Sequence, residues 1–261
     1  MHIPHRLAAL AAALGLLAGA PALAADASAS VQVTSLQFST SGGLSLQWLP
    51  GSSFQALFAE SREAGGLGGN DLAEPGSSDG WSDQSVSTAV AHAASTAQAG
   101  ANGLLAAAAS ANRSIADPLY AQPHTGNSWV QQSGWFQLSG AGSLTVTVGY
   151  SLAAAAPLAD GNDSFAGATL QLQAGNLGLD SSGLAEDMLW SFELPGGSAS
   201  RSGTLSLTVD LSDPLQIGFY DLRANADVSA IATVPEPGSW ALMALGMLAL
   251  GGLARRGRRE G

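Results

Sequence analysis

Along the middle of the chain, apolar and polar residues alternate with a period of two. In "GSLTVTVGYSL" Leu144, Val146 and Val148 fall on one side of an extended strand, with Thr145 and Thr147 on the other. "ATLQLQAG" turns Leu170 and Leu172 inward and Gln171 and Gln173 outward, and "SGTLSLTVDL" repeats the arrangement with Leu205, Leu207, Val209 and Leu211. "QIGFYDLRANADVSAIA" reads as another long strand, and "ASVQVTSLQFS" with "LSLQWLPG" as an opening hairpin. Half-polar strands joined by Gly/Ser-rich turns predict an all-β body, with two sheets packed face to face as a β-sandwich or jelly roll.

Two stretches interrupt this pattern. Residues 63–80, "EAGGLGGNDLAEPGSSDG", read as a flexible surface loop. Residues 85–114 are rich in alanine, whose propensity favours helix. No stripe of large residues recurs there at helical spacing, and Gly100 and Gly103 break the run. Ala/Ser/Thr alternation suits narrow strands, so strand is favoured and a helical insert is the rival.

The two ends of the chain differ from the body. "MHIPHRLAALAAALGLLAGAPALAADAS" has a weakly basic start at Arg6, an uncharged Ala/Leu run and a small-x-small site at Ala22-Leu23-Ala24. These are the parts of a signal peptide, residues 1–24, cleaved by signal peptidase after Ala24. The run falls short of the roughly 20 apolar residues a membrane span needs. At the other end, Pro235-Glu236-Pro237 precedes an uncharged run from Trp240 to Ala254 and then Arg255, Arg256, Arg258 and Arg259. A helix over that run would cover about 22 Å, a short anchor for a hydrocarbon core of about 30 Å. The arginines form a stop that stays on the cytoplasmic side, which leaves the body, 25–234, outside the cytoplasm. Proline fixes φ and biases its predecessor towards extended backbone, so Val234 to Pro237 present an extended strip.

This tripartite tail, "VPEP", "GSWALMALGMLALGGLA" and "RRGRR" over residues 235–261, resembles the PEP-CTERM sorting signal of Gram-negative bacteria. The resemblance implies recognition by an exosortase, a membrane protease-transpeptidase that removes the tail and passes the protein to the cell surface or medium. The inner membrane is then a transient partner. The strand "SGWFQLSGAGSLTVTVGYSL" and the late "GTLSLTVDL" are also similar to the all-β exported domains that carry such tails. An LPxTG-type motif is absent, and without cysteine there is neither a lipoprotein anchor nor a disulfide.

Charge narrows the choice of partner. The body sets four arginines against eighteen carboxylates. So acidic a surface repels phosphate backbones and argues against nucleic acid.

Candidate chemistry is sparse. Gly76-Ser77-Ser78-Asp79-Gly80 matches the G-x-S-x-G pattern, and Asp117 and His124 would complete a triad. The flanks are polar and rich in Pro and Gly, which points to a turn rather than a nucleophile elbow. Asp160, Asn162 and Asp163 are weak calcium candidates in what is otherwise a turn sequence, and Asp79 with Asp83 are weaker still. Trp48, Trp81, Trp129, Trp135 and Trp190 suit sugar stacking if exposed, although tryptophan in a sandwich is more often core. No cofactor motif appears. The expectation is a non-catalytic exported surface or extracellular-matrix protein, associated with exopolysaccharide. The alternative is an exported carbohydrate-active enzyme with a dispersed carboxylate site.

Overall fold

The structure, a computed structural model, describes residues 24–49, 51–64, 70–73, 78–114, 122–156, 164–176, 182–193, 197–211 and 215–231. The expected leader up to residue 23, Asp117, the calcium candidates Asp160, Asn162 and Asp163, and the tail from 235 to 261 lie outside these residues.

The first half of the body contains β1 (Ala24–Thr40), β2 (Ser45–Trp48), β3 (Phe54–Arg62), β4 (Asn70–Ala73), β5 (Ser78–Asp79), β6 (Gln84–Val90) and β7 (Ala93–Ala99). The second half contains β8 (Leu105–Ser114), β9 (His124–Ser139), β10 (Gly142–Ala155), β11 (Phe165–Asn176), β12 (Ser182–Trp190), β13 (Ser198–Leu211) and β14 (Leu215–Ala230). A 3-10 turn follows β12, and there is no α-helix among the described residues.

The strands form two antiparallel sheets. The first runs β13-β10-β1-β8-β7-β6; the second runs β12-β11-β14-β9-β3-β4, with β2 paired to β9 and β5 to β3. The sheets stack in matching order: β13 faces β12, β1 faces β14 and β11, β8 faces β9 and β14, and β7 faces β3 and β9.

The alternation seen in the sequence sets the faces. Leu144, Val146, Val148, Leu170 and Leu172 are buried between the sheets, whereas Thr145, Thr147, Gln171 and Gln173 point away. The alanine-rich region forms β6, β7 and β8, with Ala97, Ala99, Ala107, Ala109 and Ala111 inside. Helix propensity loses here because pairing with β1 and burial of every second alanine outweigh it. Gly103, at φ +83°, makes the turn between β7 and β8.

Two expectations are corrected. β1 and β2 do not form a hairpin: β1 pairs with β8 and β10, while β2 joins the other sheet beside β9. Gly42 and Gly43, at φ 70° and 83°, turn the chain out of the first sheet. Leu44 is then buried in the core rather than paired back on β1. The 63–80 segment is not all loop, because Asn70–Ala73 and Ser78–Asp79 pair with β3 as short edge strands. Open backbone groups on β3 favour such pairing over solvation.

The core is graded from end to end. Phe38, Trp48, Trp81, Phe136 and Tyr220 cluster at one end in contacts with ring centroids 5.1–5.9 Å apart, each edge to face. At the other end the buried residues are mostly small: Ala25, Ala27, Ala109, Ala111, Ala226 and Ala230. A buried methyl stabilises by only about 0.8 kcal/mol, against about 1.5–3 for a leucine, so this end relies on number and close contact. Facing strands approach closely there, the backbone of β9 at Gly126 lying against the carbonyls of Ala94 on β7 and Ser110 on β8. Side-chain hydroxyls reach the opposite backbone: Ser95 Oγ donates to Glu60 O at 2.7 Å and Ser128 Oγ to Ala108 O at 3.0 Å.

On the open side, Asp187 of β12 bridges the sheets, accepting from Tyr150 Oη and from Arg201. Burial first, and then this carboxylate, push the Tyr150 hydroxyl up to about 12.

A Cβ on Gly126 would lie 2.9 Å from Ser95 Oγ and 3.2 Å from the carbonyl oxygens of Ala94 and Ser110. Gly126→Val is expected to overpack this end and destabilise the body by about 1–3 kcal/mol. The check is a lower urea midpoint at unchanged slope; an unmoved midpoint would contradict the close approach.

Candidate functional site

The second sheet turns a strongly patterned face to solvent. Every other residue of β9, β11, β12 and β14 points outward, and strand register aligns those residues into rows across the sheet. One row reads Trp190, Gly167, Asp227, Asn127 and Glu60, and the next Met188, Thr169, Asn225, Trp129 and Phe58. Then come Glu186, Gln171, Arg223 and Gln131, followed by Leu184, Gln173, Asp221 and Ser133, and then Phe219 beside Trp135.

Aromatic ridges thus flank a polar band. Trp129 stacks on Phe58 at 5.8 Å with the rings 11° apart, and the Arg223 guanidinium lies 5.8 Å from the Trp129 ring centre. Trp190 covers Gly167, where a Cβ would lie 2.1 Å from the indole, and stacks on Phe192 at 5.9 Å. Glycine is required there because any side chain would lift the ring. Trp135 is 46% exposed on the far ridge.

Between the ridges lies a shallow groove of ≈ 250 Å³, lined by Gln131, Gln171, Gln173, Leu184, Asp221 and Arg223. Its polar groups are held by one another. Gln131 donates to Asp221, Arg223 donates to Gln131 Oε1 at 2.9 Å, and Gln171 donates to Glu186 Oε2 at 3.2 Å. Such a floor presents fixed amide and carboxylate groups to a ligand's hydroxyls, while the ridges offer ring faces to its apolar C–H surfaces.

The expectation that the tryptophans belong to the core is corrected for Trp129, Trp135 and Trp190, which lie on the outer face of the second sheet. None of the five is fully buried: Trp48 and Trp135 are 37% and 46% exposed, and Trp81, Trp129 and Trp190 are half-buried. The alanine-lined interface has no room for indoles. Trp48 and Trp81 instead close the aromatic end of the core, where the Trp81 indole donates to Ser133 O at 3.3 Å.

Of the hydrolase-like residues, Ser78 and His124 are not brought together. Ser78 pairs beside Gln55, whereas His124 lies next to Arg62's partner Thr125. Seven residues of strand put these sites about 23 Å apart. His124 is buried, and its Nδ1 accepts from Ala64 N–H at 3.1 Å. Asp83 accepts from Ala101 N–H at 2.9 Å in the β7–β8 turn.

Gln131, Asp221 and Arg223 were not singled out by sequence reasoning. The alternation in "YDLRANAD" marks Asp221, Arg223, Asn225 and Asp227 as outward once Tyr220, Leu222 and Ala224 are taken as core. Their convergence with Gln131 and Gln171 depends on strand order, which no local pattern carries.

Residues 233–259 match the PEP-CTERM protein-sorting motif. No curated protein and no solved structure matches the chain. The motif marks an exported protein held transiently at the membrane and sorted toward the cell surface by an exosortase.

Burial raises the Asp227 carboxyl above its usual range, against opposing hydrogen bonds from Asn127 and the Val228 backbone. A carboxyl raised on folding favours the fold when protonated, and that contribution is lost as pH rises through the folded value. Asp227→Asn is therefore expected to be more stable than the parent at pH 7. The advantage should fade as pH falls to about 4, where the unfolded carboxyl protonates. Urea midpoints at the two pH values test this, and an equal gain at both would refute it.

Proposed function

We propose that this exported, exosortase-sorted protein is a non-catalytic component of the cell surface or extracellular matrix that holds exopolysaccharide on the outer face of its second sheet. The observation that carries the reading is the fixed amide and carboxylate floor between the Phe58–Trp129 and Trp135–Phe219 ridges. Aromatic faces and planar hydrogen-bonding groups are what a carbohydrate's alternating C–H and O–H surfaces require. The acidic balance of the body disfavours polyanions, so the ligand is a neutral or amino polysaccharide. Removal of the leader by signal peptidase after Ala24 belongs to the same reading, as does retention by Trp240–Ala254 and the arginine stop until the tail is cut.

The enzyme alternative differs in its product. Asp221 in the groove and Glu186 beside it on β12 already accept side-chain hydrogen bonds, which suits a binding floor better than a pair poised for acid and base. Retention on immobilised polysaccharide without release of reducing ends is the expected result. Release of reducing ends would favour the enzyme.

Loss of one stacking ring costs about 0.5–1.5 kcal/mol, which is roughly two- to tenfold in affinity. Trp129→Ala should weaken retention by about that factor, whereas Thr147→Ala, on the outer face of the other sheet, should leave it unchanged. Equal behaviour of the two variants would count against the groove.

The tail has its own test. Glu236→Ala removes the charge between two prolines and leaves the apolar run and arginines intact. A passive anchor is indifferent to it, but an enzyme subsite left with an unpaired charge loses about 2–5 kcal/mol, at least about thirtyfold in trimming. Blots of membrane and extracellular fractions report it, and equal trimming of variant and parent would refute recognition of the triplet.

A further inference from the structure

Both ends of the body leave the sandwich at its alanine-lined end. Ala25 pairs with Arg113, Ala230 pairs with His124, and the Arg113 guanidinium meets the His124 ring. Ile231, just past β14, is held on both sides. Its N–H donates to Ser164 Oγ at 3.0 Å, and its carbonyl accepts from the same hydroxyl at 3.3 Å.

The sorting motif begins at residue 233, and Pro235 stands four Cα steps beyond Ile231. Even fully extended, that is a reach of at most about 14 Å. A compact protein of about 100 residues already has a radius of gyration of about 13 Å, and its surface lies further out. An enzyme closing a cleft around Pro235-Glu236-Pro237 therefore has no room to stay clear of the strand ends near Ile231.

We propose that the alanine-lined end of the sandwich is a docking face for the membrane-embedded enzyme that trims the tail, so that recognition extends to the folded body. The inference rests on the exosortase reading. Gln122 and Pro123 are exposed on this face and lead into His124, the partner of Ala230. Ser139, at the opposite end of β9, is about 50 Å away at strand rise. The tether cannot bring that end to the enzyme.

The experiment follows trimming of the full-length protein by pulse-chase in a host with the cognate exosortase. Gln122→Trp places a bulky ring on the docking face, and Ser139→Trp places the same ring at the far end. Each is also made with an insertion of about ten Gly/Ser residues between Ala232 and Thr233, which adds about 17 Å of average reach.

Gln122→Trp is expected to slow trimming about fivefold or more, and Ser139→Trp to leave it unchanged. The insertion should return Gln122→Trp to the parent's rate. A longer linker cannot repair a misfolded body, so that rescue separates blocked docking from loss of fold. Equal rates for Gln122→Trp and Ser139→Trp overturn the docking face while leaving sorting intact. A slowed Gln122→Trp that the insertion fails to rescue also overturns it. If the unsubstituted protein keeps its tail in that host, the exosortase reading itself fails, and the inference with it.

Discussion

The close approach of the two sheets is the constraint on which the rest of the structure depends. It is possible only because alanine, serine and glycine occupy the facing positions at one end. Serine hydroxyls then satisfy carbonyls of the opposite sheet, a contact that bulkier facing residues would prevent. The chain has no cysteine, so this contact and the aromatic cluster at the other end must hold the sandwich without a covalent staple. Asp187, with Tyr150 and Arg201, ties the two sheets at the β12–β13 edge.

The same constraint explains why the surface carries the chemistry. An interface too tight for indoles displaces them to the outer face of the second sheet or to the end of the core. On the outer face they stand over glycine or beside phenylalanine and arginine, held in fixed orientations. A rigid sheet positions such groups better than loops do, and their polar neighbours are already oriented by hydrogen bonds along the rows.

Much of this was legible along the chain. The period-two alternation at Leu144–Val148 and Leu170–Leu172 marked both strands and inward faces, because burial on one side only leaves that trace. The sorting tail was legible as well, being contiguous in sequence. The failures have a common physical origin. The β1–β2 connection looked like a hairpin because local pattern does not say which sheet receives the next strand. The tryptophans looked like core because their exclusion depends on how near the other sheet lies. The groove joins Gln131 to Asp221 across 90 residues, and only the register of β9 against β14 sets that contact.

The position of β1 has a consequence for the order of events during export. The first strand of the body is central in its sheet, with Ser39 beside Thr145 and Ala29 beside Ala109. Its neighbours are therefore made long after it, and one of them more than a hundred residues later. Closing such distant contacts is slow. A chain emerging from its N-terminus can pair β1 with β8 only after Ser114 has followed, and with β10 only after Ala155. The strand made first is thus completed by strands from the middle of the chain.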